Sequence, residues 1–314
     1  MTSYWLLVIT LSSETPYRSG FVAVVGRPNV GKSSLMNAYL GEKIAIVSPK
    51  PQTTRHAQLG ILSEKDYQLI FVDTPGMHEP RNKLGEYMVE TAARAMLDAD
   101  AILFIVDASA PPHADDARLA EQIRNRAGAA PVILALNKSD VLKPAHVIPH
   151  TEAYRALVPE AKWMLISATR GDNLAELRQM LIDVLPEGPA LYPEDELTQT
   201  HLRDLAAELI REAALTALEQ EVPHGVAIEI EQFDETSKPG LVRISSILYV
   251  EREAHKGIVI GAGGSKLKEI GVNARQQIEN MLQQKVFLEI HVKVRRNWRE
   301  KEAEVRRMGY KKRD

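Results

Sequence analysis

The sequence contains no cysteine among its 314 residues. This absence excludes disulfide bonds, thiol nucleophiles and cysteine-ligated zinc, and it is consistent with a reducing, cytoplasmic location. Aromatic residues are scarce at 5% of the chain, whereas hydrophobic residues make up 45% and suffice for two domains with their own cores. The apolar stretch at residues 4–11 is too short to span a bilayer and lacks a basic residue before it. We therefore expect residues 1–18 to form an N-terminal extension of unknown role.

Charge is distributed unevenly along the chain, although the formal net charge is only −3. From Lys256 to Asp314 there are 15 Lys and Arg against 7 Asp and Glu, which leaves a local net charge of +8. The rest of the chain carries −11. A basic end on an acidic body favours a polyanionic partner that binds at that end only.

A glycine-rich turn lies between a short apolar run and a predicted helix. Residues 20–25 have the pattern of a buried strand, and residues 32–40 that of an amphipathic helix with Leu35, Met36 and Tyr39 inward. The turn has the spacing of a phosphate-binding loop, a glycine followed after four residues by Gly-Lys-Ser. The residues that we expect to bind nucleotide here are Gly26, Arg27, Pro28, Asn29, Val30, Gly31, Lys32, Ser33 and Ser34.

The chemistry of phosphate binding accounts for the composition of this turn. Glycines let backbone N–H groups approach the phosphates at the positive end of the helix dipole. Lys32 is then placed to reach the β- and γ-phosphates, and the Ser33 hydroxyl to bind Mg²⁺. For this stretch alone, the alternative is a strand–helix turn in which the lysine occurs by chance.

Three further polar segments each follow a run of apolar residues that predicts a buried strand. They are Asp73, Thr74, Pro75, Gly76 and Met77; then Asn137, Lys138, Ser139 and Asp140; and finally Ser167, Ala168 and Thr169. Each segment alone also fits an ordinary turn. Four segments in this order, each at the carboxyl end of a strand, predict a nucleotide site at the edge where open parallel sheets bind ligands.

The three segments divide the recognition of the nucleotide among them. Asp73 can hold Mg²⁺ through a water, and the backbone N–H of Gly76 can meet the γ-phosphate. The Asp140 carboxylate can accept two hydrogen bonds from guanine that adenine cannot supply, so that its burial without a partner would reject ATP. A backbone N–H within residues 167–169 can meet the guanine oxygen.

With these motifs the sequence resembles the translation-factor-like GTPases, and more narrowly the Era family, from about Gly20 to Tyr310. The narrower resemblance depends on short segments at residues 51–55, 185–195, 209–212, 221–224 and 261–264. It implies that Thr53 and Thr54 lie in the first switch loop, where Thr54 senses Mg²⁺ and the γ-phosphate; a solvated turn is the alternative. The implied catalytic residues are Lys32, Thr54 and Gly76, and the implied metal ligands are Ser33, Thr54 and Asp73.

Two positions bear on the mechanism that the resemblance implies. Met77 stands where Ras-like GTPases place the glutamine that orients the attacking water, which implies slow intrinsic hydrolysis. Asn29 resembles the position that some relatives use to hold a potassium ion. A loop-capping asparagine is the alternative for Asn29.

The hydrophobic pattern changes after a segment rich in proline and glycine, which predicts a linker at residues 186–197. The predicted order of helix, strand, strand, helix, glycine turn, helix and strand resembles a type II KH domain, whose turn clamps a nucleic-acid backbone. Glycines let phosphate approach closely there, and lysines add positive charge; a helix C-cap is the alternative. The expected RNA-binding residues are Ile260, Gly261, Ala262, Gly263, Gly264, Ser265, Lys266 and Lys268.

We therefore expect an α/β P-loop GTPase domain with a mixed, mostly parallel sheet at residues 19–185, followed by an α+β KH domain at residues 198–314. The resemblance implies a monomeric GTP/GDP switch that binds the 3′ end of 16S ribosomal RNA in assembly of the 30S subunit. One alternative is a constitutive RNA-binding module. Another is a signalling GTPase held peripherally on the inner face of the cell membrane. The tRNA-modifying GTPases are disfavoured because they use a catalytic cysteine.

Overall fold

The computed structural model describes residues 16–48, 50, 53–77, 79–126 and 128–310. The apolar stretch at residues 4–11 lies outside these ranges, as do Pro51 and Gln52, on which part of the family resemblance depends. Within these ranges, residues 18–165 form a six-stranded sheet and residues 227–294 a three-stranded sheet. No helix in the described part of the chain combines the length and the apolar character needed to cross a membrane.

The first sheet consists of β1 (Arg18–Val25), β2 (Gln58–Glu64), β3 (Tyr67–Asp73), β4 (Ala101–Asp107), β5 (Val132–Asn137) and β6 (Lys162–Leu165). Its strand order is β2-β3-β1-β4-β5-β6, and β2–β3 is its one antiparallel pair. The central strand β4 is apolar and fully buried from Ala101 to Val106, as expected for a strand covered by helices on both faces. The mixed, mostly parallel sheet is thus confirmed. The helices are α1 (Lys32–Leu40), α2 (Lys83–Leu97), α3 (Ala114–Arg126), α4 (Val147–Arg155) and α5 (Leu174–Val184).

The elements of the second domain are α6 (Leu202–Ala217), β7 (Ala227–Asp234), β8 (Leu241–Val250), α7 (Glu253–Ile260), α8 (Ser265–Leu282), β9 (Lys285–Val294) and α9 (Glu302–Arg307). In its sheet β7 pairs with β8 antiparallel, and β8 pairs with β9 parallel. Helix α8 packs on the sheet through the stripe Ile270, Ala274 and Ile278, which is completely buried. The element order is the one that the sequence predicts for a KH domain.

The segment between the two sheets, residues 186–197, is held against the first sheet along much of its length. The backbone N–H of Ile61 donates to the Leu197 carbonyl at 2.8 Å, and the N–H of Leu191 donates to Gln68 Oε1 at 2.7 Å. The predicted linker is therefore hydrogen-bonded to the first sheet. The domain bounds given above stay a prediction.

The C-terminal segment after β9 packs against the first domain. Trp298, Val305 and Tyr310 form one apolar cluster with Leu84 and Met88 of α2. Trp298 is completely buried, and its Nε1–H donates to the carbonyl of Gly225 at 2.9 Å. The two domains thus share a hydrophobic contact as well as the polar contacts described below.

Candidate nucleotide and RNA sites

The predicted phosphate loop, residues 26–34, forms a tight turn between β1 and α1. Gly31 has a φ of +107°, and a Cβ there would lie 2.2 Å from Asn137 Nδ2, so that no other residue fits. A Cβ on Gly76 would lie 2.6 Å from the backbone nitrogen of Pro28. The loop is therefore in close contact with two of the other predicted segments, at residues 73–77 and 137–140.

Lys32 is buried beneath this loop. Its Nζ donates to the carbonyls of Gly26, at 3.1 Å, and Arg27, at 2.9 Å. Burial lowers the pKa of Lys32 to about 8, although the nearby Asp73 carboxylate opposes the change. An anion bound in the loop would favour the protonated ammonium, because opposite charges stabilise each other.

Three oxygen-bearing side chains meet beside Lys32. The Ser33 hydroxyl donates to Asp73 Oδ2 at 2.6 Å and lies 3.0 Å from Thr54 Oγ1, which is 3.4 Å from the same carboxylate oxygen. Asp73 is fully buried, burial raises its pKa, and its Oδ1 makes no hydrogen bond to any described residue. This set of hard oxygen ligands, with a buried carboxylate oxygen to spare, fits Mg²⁺.

The described residues between α1 and β2, which are 41–48, 50 and 53–57, are called the switch loop below. Its two neighbouring threonines, Thr53 and Thr54, have different hydrogen-bond partners. Thr54 faces Ser33 and Asp73, whereas the Thr53 hydroxyl donates to the Lys50 carbonyl at 2.6 Å. The phosphate loop and the switch loop line one pocket, whose walls are Pro28, Asn29, Gly31, Lys32, Ser33, Ser34, Ile46, Val47, Ser48, Thr53, Thr54 and Gly76.

Asn137 joins the phosphate loop to the segments predicted to hold the base. Its Nδ2 donates to the Val30 carbonyl at 2.7 Å, and its Oδ1 accepts from the N–H of Ala168 at 3.0 Å. The Asn137 side chain thus holds the phosphate loop against residues 167–169; this is called its bracing role below.

Asp140 and residues 167–169 lie together at the carboxyl ends of β5 and β6. Asp140 is exposed, and its Oδ1 accepts from the Ser167 hydroxyl at 2.7 Å. The Thr169 hydroxyl lies 3.2 Å from that of Ser167. The structure therefore places the carboxylate expected to read guanine beside the segment expected to meet the guanine oxygen.

Two basic residues of the predicted site pair with carboxylates. Arg27 Nε lies 2.7 Å from Asp116 Oδ1, a completely buried group on α3, and Lys138 Nζ lies 2.6 Å from Asp107 Oδ2. Burial opposes ionisation of Asp107, but the hydrogen bonds from Lys138 and Ser109 lower its pKa overall. These side chains therefore fix the loops, and the Arg27 guanidinium is directed to α3.

Two other residues of the 73–77 segment face inward. The Thr74 hydroxyl donates to the Val24 carbonyl at 2.7 Å. Met77 is 5% exposed and belongs to the apolar cluster beneath α2 and α3.

The glycine turn between α7 and α8 is exposed at Ala262 and Gly263. Gly261, Gly263 and Gly264 have φ values of +72°, +59° and +81°, and a Cβ on Gly263 would meet no atom within 4 Å. A backbone without side chains is thus open to a ligand at Gly263. Lys266 Nζ pairs with Glu269 at 2.9 Å, so that its charge is partly compensated.

The basic residues of the C-terminal region are less available than the sequence indicates. Arg295 pairs with Glu304 at 2.6 Å, and Arg299 pairs with the buried Glu251 at 2.5 Å. Arg306 pairs with a glutamate on its own helix. At these three arginines the positive charge is therefore paired with a carboxylate.

The contacts of the switch loop with the second domain were not predicted from the sequence. Arg55 and Arg211 are each 1% exposed and bridge the two domains, and Lys43 Nζ lies 2.7 Å from Glu212 Oε2 of α6. One signal was available: the charged pair Arg211-Glu212 stands in α6 between Leu209-Ile210 and Ala213-Ala214, and a charge in apolar surroundings needs a partner.

Two family models match the sequence, a "50S ribosome-binding GTPase" over residues 21–138 and a "KH domain" over residues 221–299. The GTPase Era of Ruminiclostridium cellulolyticum is 44% identical over 295 residues, which are 94% of this chain and 98% of that protein. The GTPase Era of Clostridium botulinum strain Okra is 45% identical over 296 residues, 94% and 99% of the two chains. The chain belongs to the Era GTPase family.

Two solved Era structures share the fold over nearly their whole length. One is Era in complex with MgGDPNP and nucleotides 1506–1542 of 16S ribosomal RNA, with a TM-score of 0.89, 41% identity and coverage of 94% of this chain and 99% of that one. The other is a variant of Aquifex aeolicus Era bound to GDP and AlF₄⁻, with a TM-score of 0.88, 41% identity and coverage of 93% and 99%. Membership of the Era family confirms both the GTPase fold and the KH fold expected from the sequence.

Proposed function

We propose that this Era family member is a GTP-hydrolysing switch that binds the 3′ end of 16S ribosomal RNA and acts in maturation of the 30S ribosomal subunit. The observation that carries the proposal is the group formed by Ser33, Thr54 and Asp73 beside a buried Lys32, in a chain that also presents an open glycine turn in a KH domain. A relative of 41% identity has been crystallised with MgGDPNP and 16S ribosomal RNA.

In this proposal the first domain holds the phosphates and Mg²⁺ through its backbone and four side chains. The backbone N–H groups of the phosphate loop, which Pro28 lacks, surround the β-phosphate, and Lys32 reaches the β- and γ-phosphates. Ser33 and Thr54, with Asp73 behind them, hold Mg²⁺, which neutralises negative charge on the phosphates. Gly76 offers its N–H to the γ-phosphate.

Hydrolysis by this site is slow without a further stabilising group. Met77 is buried in the apolar cluster of the domain, and a thioether cannot orient water as a glutamine does. We propose that the asparagine at the tip of the phosphate loop, Asn29, holds a potassium ion; its φ of +65° fits a loop tip. Hydrolysis at the same rate in potassium and sodium salts would reject this cofactor.

RNA binds in this proposal at the turn between α7 and α8. The open space at Gly263 lets a phosphate approach the backbone, and Lys268 adds an exposed positive charge nearby. We propose that the protein acts as a monomer in the cytoplasm. A peripheral association with the inner face of the cell membrane is the alternative, which requires that anionic vesicles bind the protein and that RNA does not compete with them.

The substitution Gly263→Asp tests the RNA site. It places a negative charge where phosphate is expected, and we expect the affinity for a 16S 3′-end RNA to fall about tenfold or more, with GTP affinity unchanged. Aspartate tolerates positive φ better than most residues, and the space around Gly263 is open, so that the fold should persist.

Gly240→Asp is the matched control, because Gly240 also has a positive φ, +75°, and open space, in the hairpin between β7 and β8. We expect the control to bind RNA nearly as the wild type does. Wild-type RNA affinity in a folded Gly263→Asp protein would reject the RNA site, and with it the ribosomal role.

A further inference from the structure

The switch loop is held by the second domain at both ends. Near its start, Lys43 Nζ donates to Glu212 of α6 at 2.9 Å and to Gln277 of α8 at 2.5 Å. The side chain of Ile46 is 4% exposed and belongs to the apolar core of the KH domain. A loop that is expected to sense the γ-phosphate is therefore partly built into the RNA-binding domain.

The most buried hydrogen bonds between the switch loop and the second domain lie on either side of Thr54, at Thr53 and Arg55. On one side, Arg211 of α6 donates through Nη2 to the carbonyl of Thr53 and to Glu208. That carbonyl and the Thr54 nitrogen and Cα belong to one planar peptide unit, so that fixing the oxygen also limits the orientation of Thr54.

On the other side, Arg55 inserts its guanidinium into the KH domain. It donates to the carbonyls of Val226, at 2.7 Å, and His224, at 3.0 Å, and to the Tyr310 hydroxyl at 3.3 Å. The guanidinium also lies 5.8 Å from the centre of the Trp298 ring. Thr54 is thus flanked by two residues whose backbone or side chain is fixed by the second domain.

Both guanidinium groups are costly to bury. Arg55 has only neutral hydrogen-bond partners among the described residues, and Glu208 supplies the one carboxylate that pairs with Arg211 there. Arg55 Nε and Arg211 Nη1 make no hydrogen bond within the described residues. Apolar side chains would fill an ordinary domain contact at lower cost, since buried ion pairs rarely add stability. A positioning role accounts for keeping two charges here.

We propose that Arg55 and Arg211 are positioning residues of the nucleotide site, through which the KH domain holds the Thr54 hydroxyl beside Ser33 and Asp73. The RNA-binding domain then regulates the metal-dependent step through the position of one loop. This inference rests on the proposed GTPase function, since it concerns the regulation of that same site.

Arg211→Ala in the full-length protein is the first test. The variant leaves every predicted nucleotide ligand in place but frees the Thr53 carbonyl. We expect the Mg²⁺ concentration for half-maximal GTP hydrolysis to rise about tenfold, the size typical of losing a hydrogen bond to a charged group. GDP affinity measured without Mg²⁺ should be unchanged, because the Thr54 hydroxyl lies beside the expected Mg²⁺ ligands Ser33 and Asp73 and its expected role requires the metal.

Arg203→Ala is the matched control, because Arg203 is also on α6 and donates to the Ile230 carbonyl within the KH domain. It should keep the wild-type Mg²⁺ dependence. Arg55→Lys is the second variant: it keeps the charge, but an ammonium cannot reproduce the planar fork that reaches Val226, His224 and Tyr310. We expect Arg55→Lys to shift the Mg²⁺ dependence of GTP hydrolysis in the same direction. If Arg211→Ala does not fold, the result for Arg55→Lys alone tests the inference.

The outcomes separate the inference from the function beneath it. If the wild type hydrolyses GTP and both Arg211→Ala and Arg55→Lys keep its Mg²⁺ dependence, the positioning role is wrong and the GTPase function stands. A shift of the same size in Arg203→Ala would also reject the positioning role, because the loss of an arginine that does not contact the switch loop would then have the same effect. A wild type that does not hydrolyse GTP would overturn both.

Discussion

The substitution Asn137→Ala tests whether the Asn137 side chain acts by holding two loops together or by contacting the nucleotide base. Asn137 is 3% exposed, and its side chain makes hydrogen bonds to the Val30 carbonyl at 2.7 Å and the Ala168 N–H at 3.0 Å. Val30 and Ala168 are themselves buried, so that Asn137→Ala leaves an acceptor and a donor without partners.

Each buried polar group left unsatisfied costs about 1–3 kcal/mol. Some of this cost is recovered if water enters, and we therefore expect the nucleotide-free protein to lose about 2–4 kcal/mol of unfolding free energy. Urea unfolding followed by circular dichroism measures the loss as a shift in midpoint at constant slope.

The nucleotide assay adds a second prediction for the same variant. The Asn137 side chain sets the position of the phosphate loop relative to the base segment. Asn137→Ala should therefore bind both GDP and xanthosine diphosphate (XDP) more weakly than the wild type does, by similar factors. An Asn137→Ala protein with the wild-type urea midpoint and the wild-type GDP affinity would refute the bracing role. A selective gain in XDP binding would instead assign base recognition to Asn137.

Three further predictions concern single residues of the site. Asp140→Asn should shift preference from guanine to xanthine nucleotide, since xanthine presents an acceptor where guanine presents a donor; unchanged GTP affinity in a competition assay would reject the assignment. Met77→Ala removes a side chain that is 5% exposed. It should lower the unfolding free energy by about 2–5 kcal/mol in thermal melts but change hydrolysis only modestly in a phosphate-release assay. GDP affinity should fall as the pH rises through about 8, because nucleotide-free Lys32 then loses the proton that phosphate binding requires. The check is the number of protons taken up when GDP binds, measured by calorimetry in two buffers of different ionisation enthalpy. Guanosine, which lacks phosphate, is the control for titration of the base.

Local patterns in the sequence predict the elements that position the site. The spacing of glycines and Lys32 identifies the strand–loop–helix unit, because that geometry is set within ten residues of chain. The apolar stripe of α8, including Ile270 and Ile278, predicts its buried face for the same reason. The order of four motifs predicts that their residues meet at one edge of the sheet.

Contacts between distant residues were not predictable in this way. Arg55 and Val226 are separated by 171 positions, and no periodic pattern connects a loop arginine to a particular carbonyl. The pairing of Arg27 with Asp116 was missed for the same reason, and so were the carboxylates that neutralise Arg295 and Arg299. The Arg55 contact depends on how the two domains pack together, and the other three depend on how elements pack within one domain. Composition and spacing encode neither.

The central claim is that the nucleotide state and RNA binding are coupled through the switch loop. The most direct test is the affinity of the full-length protein for single-stranded RNA from the 3′ end of 16S ribosomal RNA, measured with GDP and with a non-hydrolysable GTP analogue at one salt concentration. We expect the two affinities to differ by about 5- to 150-fold, the usual range of coupling between two sites. Equal affinities in the two states would contradict the account and identify a constitutive RNA-binding module.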